Sequence, residues 1–208
     1  MGPAGSCGWP VTCAAGAGFL DVPVVGSRPQ AEARALIALA GGDVETLAIV
    51  RDVLAVSCAT IHHTGPAGTA TALKLAVNAF FATQVAALAE LLAISKRHGI
   101  EPERTFEIVS GFPTMSPAAK GAGALMLAND VSPLFPIELV EKDLAYALET
   151  ARAGGLEPSI LRSVHDLFVQ ARQHGFGAAN VSAVSAVVDC DATSLSPANV
   201  VVPTTACG

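Results

Sequence analysis

The chain has 208 residues, 51% hydrophobic and only 14% charged, with a formal net charge of −6 and a mean hydropathy of +0.51. That length makes one large domain or two small ones with a real buried core. The acidic balance, the lack of any basic run and an aromatic content of 5% exclude the electrostatic footprint of a nucleic-acid binder.

Residues 1–14 and 189–208 show no sustained hydrophobic period and are rich in small and turn-forming residues, so both are expected to be disordered. The opening MGPAGSCGWPVTCAA lacks the basic start and apolar run of a signal peptide. Five cysteines, Cys7, Cys13, Cys58, Cys190 and Cys207, are odd in number and form no C-x-x-C pair. A disulfide framework and a zinc site are therefore not expected, and a reducing cytoplasm is the expected compartment.

Residues 15–64 alternate β-like and helix-like runs. FLDVPVV, ALIALAGG and ATIHHTG predict three strands, and DVETLAIVRDVLAVS predicts a helix between the last two, with Asp43 as its cap. Three strands are fewer than the five or six of an independent doubly wound sheet. From residue 65 to 188 the pattern is helical throughout. A first helix is expected from Pro66 to His98, roughly 48 Å long. Its segment LKLAVNAFFATQVAALAELLAI is apolar but carries Lys74, Asn78, Gln84 and Glu90, which a bilayer would tolerate poorly, so no membrane span is expected. Further helices follow at about 102–110, 117–128, 136–153 and 158–174, and a last one over NVSAVSAVV, each bounded by Gly, Pro or a capping residue. The fold class is mostly α: a partial α/β region, then an all-helical domain around one very long helix. So much alanine, valine and leucine suits helices that also pack against a second subunit, so a homodimer or higher homo-oligomer is expected.

Three stretches could carry chemistry. In GPAGTATALKLAVN, residues 65–78, Lys74 and Asn78 project from one helix face a turn apart. Apolar neighbours desolvate a lysine and bring it toward proton exchange near neutral pH, and an amide beside it offers a donor and an acceptor. A snorkelling lysine on a helix flank fits the same spacing. In LDVPVVGSRPQ the backbone around Gly26 and the Ser27 hydroxyl could hold a carboxylate; alternatively Ser27 simply caps a helix with Pro29 in its first turn. In PIELVEKDLAYALETA, Lys142 and Asp143 sit beside an inner face of Ile137, Val140, Leu144, Ala147 and Leu148, where charges usually form a solvated flank. The five histidines have no ligating partners at metal spacing, and no metal site is expected.

The order of these stretches is more specific than any one of them. LDVPVVGS, ALIALAGGD, GPAGTATALKLAVN, EKDLAYALETARAGGLEPSI and GFG, in that sequence, resemble the β-hydroxyacid dehydrogenase family, which includes 3-hydroxyisobutyrate dehydrogenase and tartronate semialdehyde reductase. The resemblance covers about residues 15 to 187. It implies a Rossmann-type NAD(P)-binding domain, of which 15–64 would be the last part, and a helical domain over 65–188 that forms a dimer. It implies hydride transfer between a nicotinamide cofactor, NAD or NADP, and a small 3-hydroxy acid or semialdehyde. Lys74 would be the catalytic acid and base, Asn78 would position substrate, Gly26 and Ser27 would bind its carboxylate, and Lys142 would reach the nicotinamide-ribose side. Val25 stands where the family has serine, and Asn180 where it commonly has aspartate. No G-x-G-x-x-G follows a strand anywhere in the sequence, so the chain is expected to be a truncated or incomplete dehydrogenase that binds cofactor poorly on its own. A non-catalytic helical dimerisation module derived from the same family is the alternative expectation.

Overall fold

Pro23 shapes the first part of the structure, a computed structural model that describes residues 17–189. Of the stretches 1–14 and 189–208, expected to be disordered, only Asp189, which caps the last helix, is described; Cys7, Cys13, Cys190 and Cys207 lie outside the described residues. FLDVPVV, expected as one strand, forms two: β1 (Leu20–Asp21) and β2 (Val24–Val25). Proline has no N–H for the ladder, so the strand is interrupted there. The register nevertheless runs through the break, Leu20 facing Gly42, Asp21 facing Gly41, Val24 facing Ala38 and Val25 facing Ile37. All four pairs are antiparallel to β3 (Leu36–Gly42), and Leu39 N–H donates to the Pro23 carbonyl at 3.0 Å. β3 also pairs in parallel with β4 (Cys58–Gly65), which makes a small four-stranded mixed sheet.

Two helices complete this region. The short α1 (Arg28–Glu32) follows β2, and α2 (Val44–Leu54) is the crossover between the parallel strands β3 and β4. Ala38, Leu39, Ala40, Leu47, Cys58 and Ala70 are its buried residues. The described residues are mostly helical and divide into two compact units. One takes in the described chain up to Val77 with Thr150–Leu156; the other takes in Asn78–Glu149 and the chain from Glu157 onward.

The long helix α3 spans Thr69–Arg97, 29 residues, and starts three residues later than expected. Gly65 and Gly68 have φ of +124° and +94°, outside the helical basin, so Pro66 stands in a turn and the helix begins after the second glycine. Gly99, with φ +79°, ends it. By length and composition α3 could cross a membrane. In the second unit it buries Val85, Ala86, Leu88, Ala89 and Leu92.

The remaining helices are α4 (Pro102–Ser110), α5 (Pro117–Leu127), α6 (Ile137–Ala153), α7 (Ser159–Ala171) and α8 (Val184–Val188). The expected helix 158–174 is shorter because it loosens into a π turn at Arg172–Phe176, where Gly175 has φ +88°. The expected helix over 180–188 splits into a 3-10 turn, Val181–Ala183, and α8. Ile137, Val140, Leu144, Ala147 and Leu148 of α6 are all buried, as their spacing predicts, and Val85, Phe168 and Val184 are fully buried too. Each large side chain so buried contributes about 1.5–3 kcal/mol.

A polar latch joins the approach to α6 with the approach to α8. Buried Asn180 accepts from Phe135 N–H at 3.0 Å through Oδ1 and donates through Nδ2 to Ser182 Oγ at 2.9 Å. Ser182 Oγ in turn donates to the Asp130 carbonyl at 2.9 Å. The Asn180 position therefore needs a donor and an acceptor at once, which an amide supplies and a carboxylate does not.

Candidate active site

Lys74 lies on the second turn of α3 and is half-buried. Asn78 follows four residues later on the same helix, also half-buried, and its Nδ2 donates to Asp143 Oδ2 of α6 at 2.7 Å. That bond fixes which way the amide is turned, since the nitrogen is committed to the carboxylate and Oδ1 is left as the acceptor. Asp143 is thus a hydrogen-bond partner of Asn78 and not a solvated flank. Its position was legible in part: it lies three residues after Val140 and four before Ala147, on the edge of the buried stripe of α6. Lys142, beside it, is exposed.

The Gly26–Ser27 loop ends β2. Gly26 has φ +132°, and a Cβ there would meet Leu36 Cδ2 at 2.8 Å and Gln30 Cβ at 3.0 Å, so the turn requires glycine. Ser27 is the N-cap of α1. Its N–H and its hydroxyl both donate to Gln30 Oε1, at 2.9 and 2.8 Å, and Pro29 stands in the first turn. In this structure the Ser27 donors serve local capping; to hold a carboxylate, they would have to leave Gln30.

Asp21 has no counterpart among the sequence-derived candidates. Its Oδ1 accepts from Gly68 N–H at 2.9 Å and its Oδ2 from Thr71 N–H at 2.8 Å. Gly68 and Thr71 are the residue before α3 and its third residue, so a carboxylate on β1 caps the helix that carries Lys74. Neither a motif nor a spacing relates residue 21 to residues 68 and 71.

The β3–α2–β4 unit has the connectivity of a nucleotide-binding crossover, and a cleft of about 580 Å³ opens at the carboxyl ends of its strands, lined by Gly42, Asp43, Thr46, His63, Gly65 and Pro66 among others. It does not fit a dinucleotide diphosphate. The Asp43 carboxylate already occupies the helix N-terminus, accepting from Thr46 N–H at 2.8 Å and Thr46 Oγ1 at 3.0 Å, and Glu45 adds a second negative charge in the first turn. The Thr46 backbone and side-chain hydrogen bonds hold the Asp43 carboxyl below its ordinary value, so it stays ionised and opposes an incoming anion. Among the described residues no cluster of three His, Cys, Asp or Glu side chains is placed to hold a metal ion.

Two families match the chain in the order of its parts. Residues 12–65 match the NAD-binding domain of 6-phosphogluconate dehydrogenase, and residues 68–188 match the NAD-binding family of NADP-dependent 3-hydroxyisobutyrate dehydrogenase. The chain is 26% identical over 167 residues to an L-threonate dehydrogenase of Cupriavidus necator, which takes in 80% of this chain and 56% of that protein. It is 29% identical over 170 residues to a 2-(hydroxymethyl)glutarate dehydrogenase of Eubacterium barkeri, taking in 81% of this chain and 56% of that protein. Among solved structures, a 3-hydroxyisobutyrate dehydrogenase of Mycobacterium tuberculosis with L-serine superposes with a TM-score of 0.79 at 26% identity, over 87% of this chain and 64% of that one. The chain spans about half the length of the relatives it matches. The second family match covers more than half of the sequence, from the residue before α3 to the end of α8, and includes Lys74, Asn78, Lys142 and Asp143. The ordered motifs and the fold agree with it, and the chain belongs to the β-hydroxyacid dehydrogenase family, as a relative of 3-hydroxyisobutyrate dehydrogenase.

Proposed function

We propose that the chain carries the acid–base and substrate-orienting half of an NAD(P)-dependent oxidoreductase that interconverts a small 3-hydroxy acid and its semialdehyde. The observation that carries this is the pair Lys74 and Asn78, one turn apart on one continuous helix inside the matched family, with Asn78 held in orientation by Asp143. Lys74 Nζ gives a proton to the carbonyl oxygen in reduction and takes it from the 3-hydroxyl in oxidation. Asn78 orients the substrate, the Gly26 and Ser27 loop receives its carboxylate, and Lys142 meets the nicotinamide-ribose side. NAD or NADP, when bound, supplies the hydride chemistry. The threonate, hydroxymethylglutarate and hydroxyisobutyrate named for the relatives support a small hydroxy acid as the substrate class.

In this reading residues 15–64 are the last part of a Rossmann-type domain and 65–188 a helical domain built round α3, a division that the junction of the two family matches supports. The protein is cytoplasmic, touches neither membrane nor nucleic acid, and forms a homodimer or higher homo-oligomer. Exposed Phe80, Leu91 and Ile94 of α3 supply an apolar face for the second copy.

The test is Lys74→Ala in a complete enzyme that also carries the rest of the nucleotide-binding domain, with hydroxy-acid oxidation followed through NADH or NADPH formation. Turnover is expected to fall about 10²–10⁴-fold with an unchanged far-ultraviolet circular dichroism spectrum. Near-normal turnover sinks the proton-transfer role. The exposed face of α3 equally favours a second reading, a non-catalytic helical dimerisation module. A titration of the purified chain with NADH and NADPH tests that second reading, since tight binding of either by the chain alone would overturn the module.

A further inference from the structure

The cap of α3 comes from outside the helix. A helix of this length would ordinarily carry Ser, Thr, Asp or Asn at its N-cap, where the side chain accepts the N–H three residues on. Gly68 holds that position here and has no side chain; its φ of +94° suits glycine and disfavours every capping residue. The Asp21 carboxylate, 50 residues before Thr71, takes the Thr71 N–H instead and the Gly68 N–H as well. The capping bond is therefore also a tertiary bond.

The surroundings are built to admit that carboxylate. Gly41, the cross-strand partner of Asp21, faces it so closely that a Cβ at 41 would lie 2.3 Å from Asp21 Oδ1, 3.0 Å from the Pro66 carbonyl oxygen and 3.1 Å from Ala70 N. A second tie runs in parallel. Thr69 Oγ1 donates to the Pro66 carbonyl at 2.7 Å and can accept from Thr64 Oγ1 of β4 at 2.8 Å, the proton that Thr64 would otherwise give to the Ala40 carbonyl at 3.2 Å. The first turn of α3 is thus fastened to the sheet at Asp21 and at Thr64. Lys74 begins three residues after Thr71, about 4.5 Å further along the helix axis. The register that includes Asp21 on β1 continues through β2, which Gly26 and Ser27 follow.

We infer that Asp21 is a positioning residue: it sets the first turn of α3, and with it Lys74, against the strand that leads to the Gly26–Ser27 loop. This rests on the proposed roles of Lys74 and of that loop. Without the cap the helix still forms, because its apolar face is buried further along, but its first turn frays and Lys74 loses a fixed approach.

The experiment follows Lys74 directly, without cofactor. The full chain contains four lysines, Lys74, Lys96, Lys120 and Lys142. Reductive ¹³C-methylation gives each a resolvable signal, assigned by single Lys→Arg variants, whose position and titration midpoint are followed against pH. In Asp21→Asn, which keeps one acceptor oxygen and loses the charge, the Lys74 signal should move and its proton affinity change by about two- to fivefold, while Lys96, Lys120 and Lys142 stay in place. Gly41→Ala, which displaces the carboxylate and keeps its charge, should move the Lys74 signal too and accelerate amide exchange at Gly68 and Thr71; it carries the test if Asp21→Asn fails to fold. A Lys74 signal unmoved in both folded variants, or moved only in Asp21→Asn, overturns the positioning role. A Lys74 midpoint in the unaltered chain equal to that of Lys120 counts against the proton-transfer role of Lys74 instead, whatever the two variants do.

Discussion

The helices α2 and α3 begin in the same unit, at Val44 and Thr69, and solve the same problem in opposite ways. Each must satisfy N–H groups that have no partner inside the helix. In α2 the answer is local: Asp43 accepts from Thr46, three residues on. In α3 it is distant: Asp21 reaches across 47 residues to Gly68 and 50 to Thr71. A local cap stabilises one helix and little else. A distant cap stabilises the helix and also fixes where its first turn stands against the sheet.

The sharpest way to break this comparison is to remove each cap in turn. Asp21→Ala removes two charge-assisted hydrogen bonds and strands their donors, at a cost of about 2–3 kcal/mol. Urea unfolding should show it as a lowered midpoint with an unchanged slope. Asp43→Ala should lower the midpoint less, because Thr46 at the exposed end of α2 can turn to water. Equal losses would mean that the Asp21 bonds act as an ordinary cap and tie nothing together.

The Asn180 latch extends the comparison to the second unit, where distant partners again meet through one side chain. Because the Ser182 hydroxyl gives its proton to the Asp130 carbonyl, Asn180 must donate to Ser182. Asn180→Asp places two acceptors face to face in a buried site. The expected cost is about 1–3 kcal/mol, read by thermal unfolding, and Ser182→Ala in the same chain should recover part of it by removing the opposed oxygen. A neutral Asn180→Asp would show that the Ser182 proton can be turned around without loss.

The same contrast explains what the sequence disclosed. Local chemistry was legible: Asp43 before an apolar run, Ser27 three residues before Gln30, and the buried stripe of α6 each follow from spacing that one helix imposes on its own residues. The start of α3 was misplaced because proline at a helix N-terminus is a strong local signal, and the φ of Gly68, which overrules it, is set by contacts the local sequence does not contain. Pro23 split an expected strand without disturbing its register, since cross-strand pairs on either side hold it. Lys74, Asn78 and Lys142 were named by their place in an ordered family pattern. Asp143 was visible as a charge and not as a partner, and Asp21 was visible as neither, because both act across the fold.

The smallest expected effect concerns the local cap alone. Hydrogen bonds from the Thr46 backbone and side chain lower the Asp43 carboxyl below its ordinary 3.8 in the folded chain. A lowered folded-state value means that the unfolded chain takes up the proton first as pH falls. The stabilisation is then fully present above 3.8 and is lost as pH drops through the folded-state value below it. The amide of Thr46 should therefore exchange as slowly at neutral pH as at pH about 5, once intrinsic rates are allowed for, and lose protection only under stronger acid. Asp43→Asn, which keeps an acceptor oxygen without a titrating group, should cap α2 at every pH and remove that acid step. The amides of Gly68 and Thr71 should be untouched by the substitution, because their acceptor is Asp21 and not Asp43. If the acid loss at Thr46 persists in Asp43→Asn, the titrating group lies elsewhere, and α2 does not owe its first turn to Asp43.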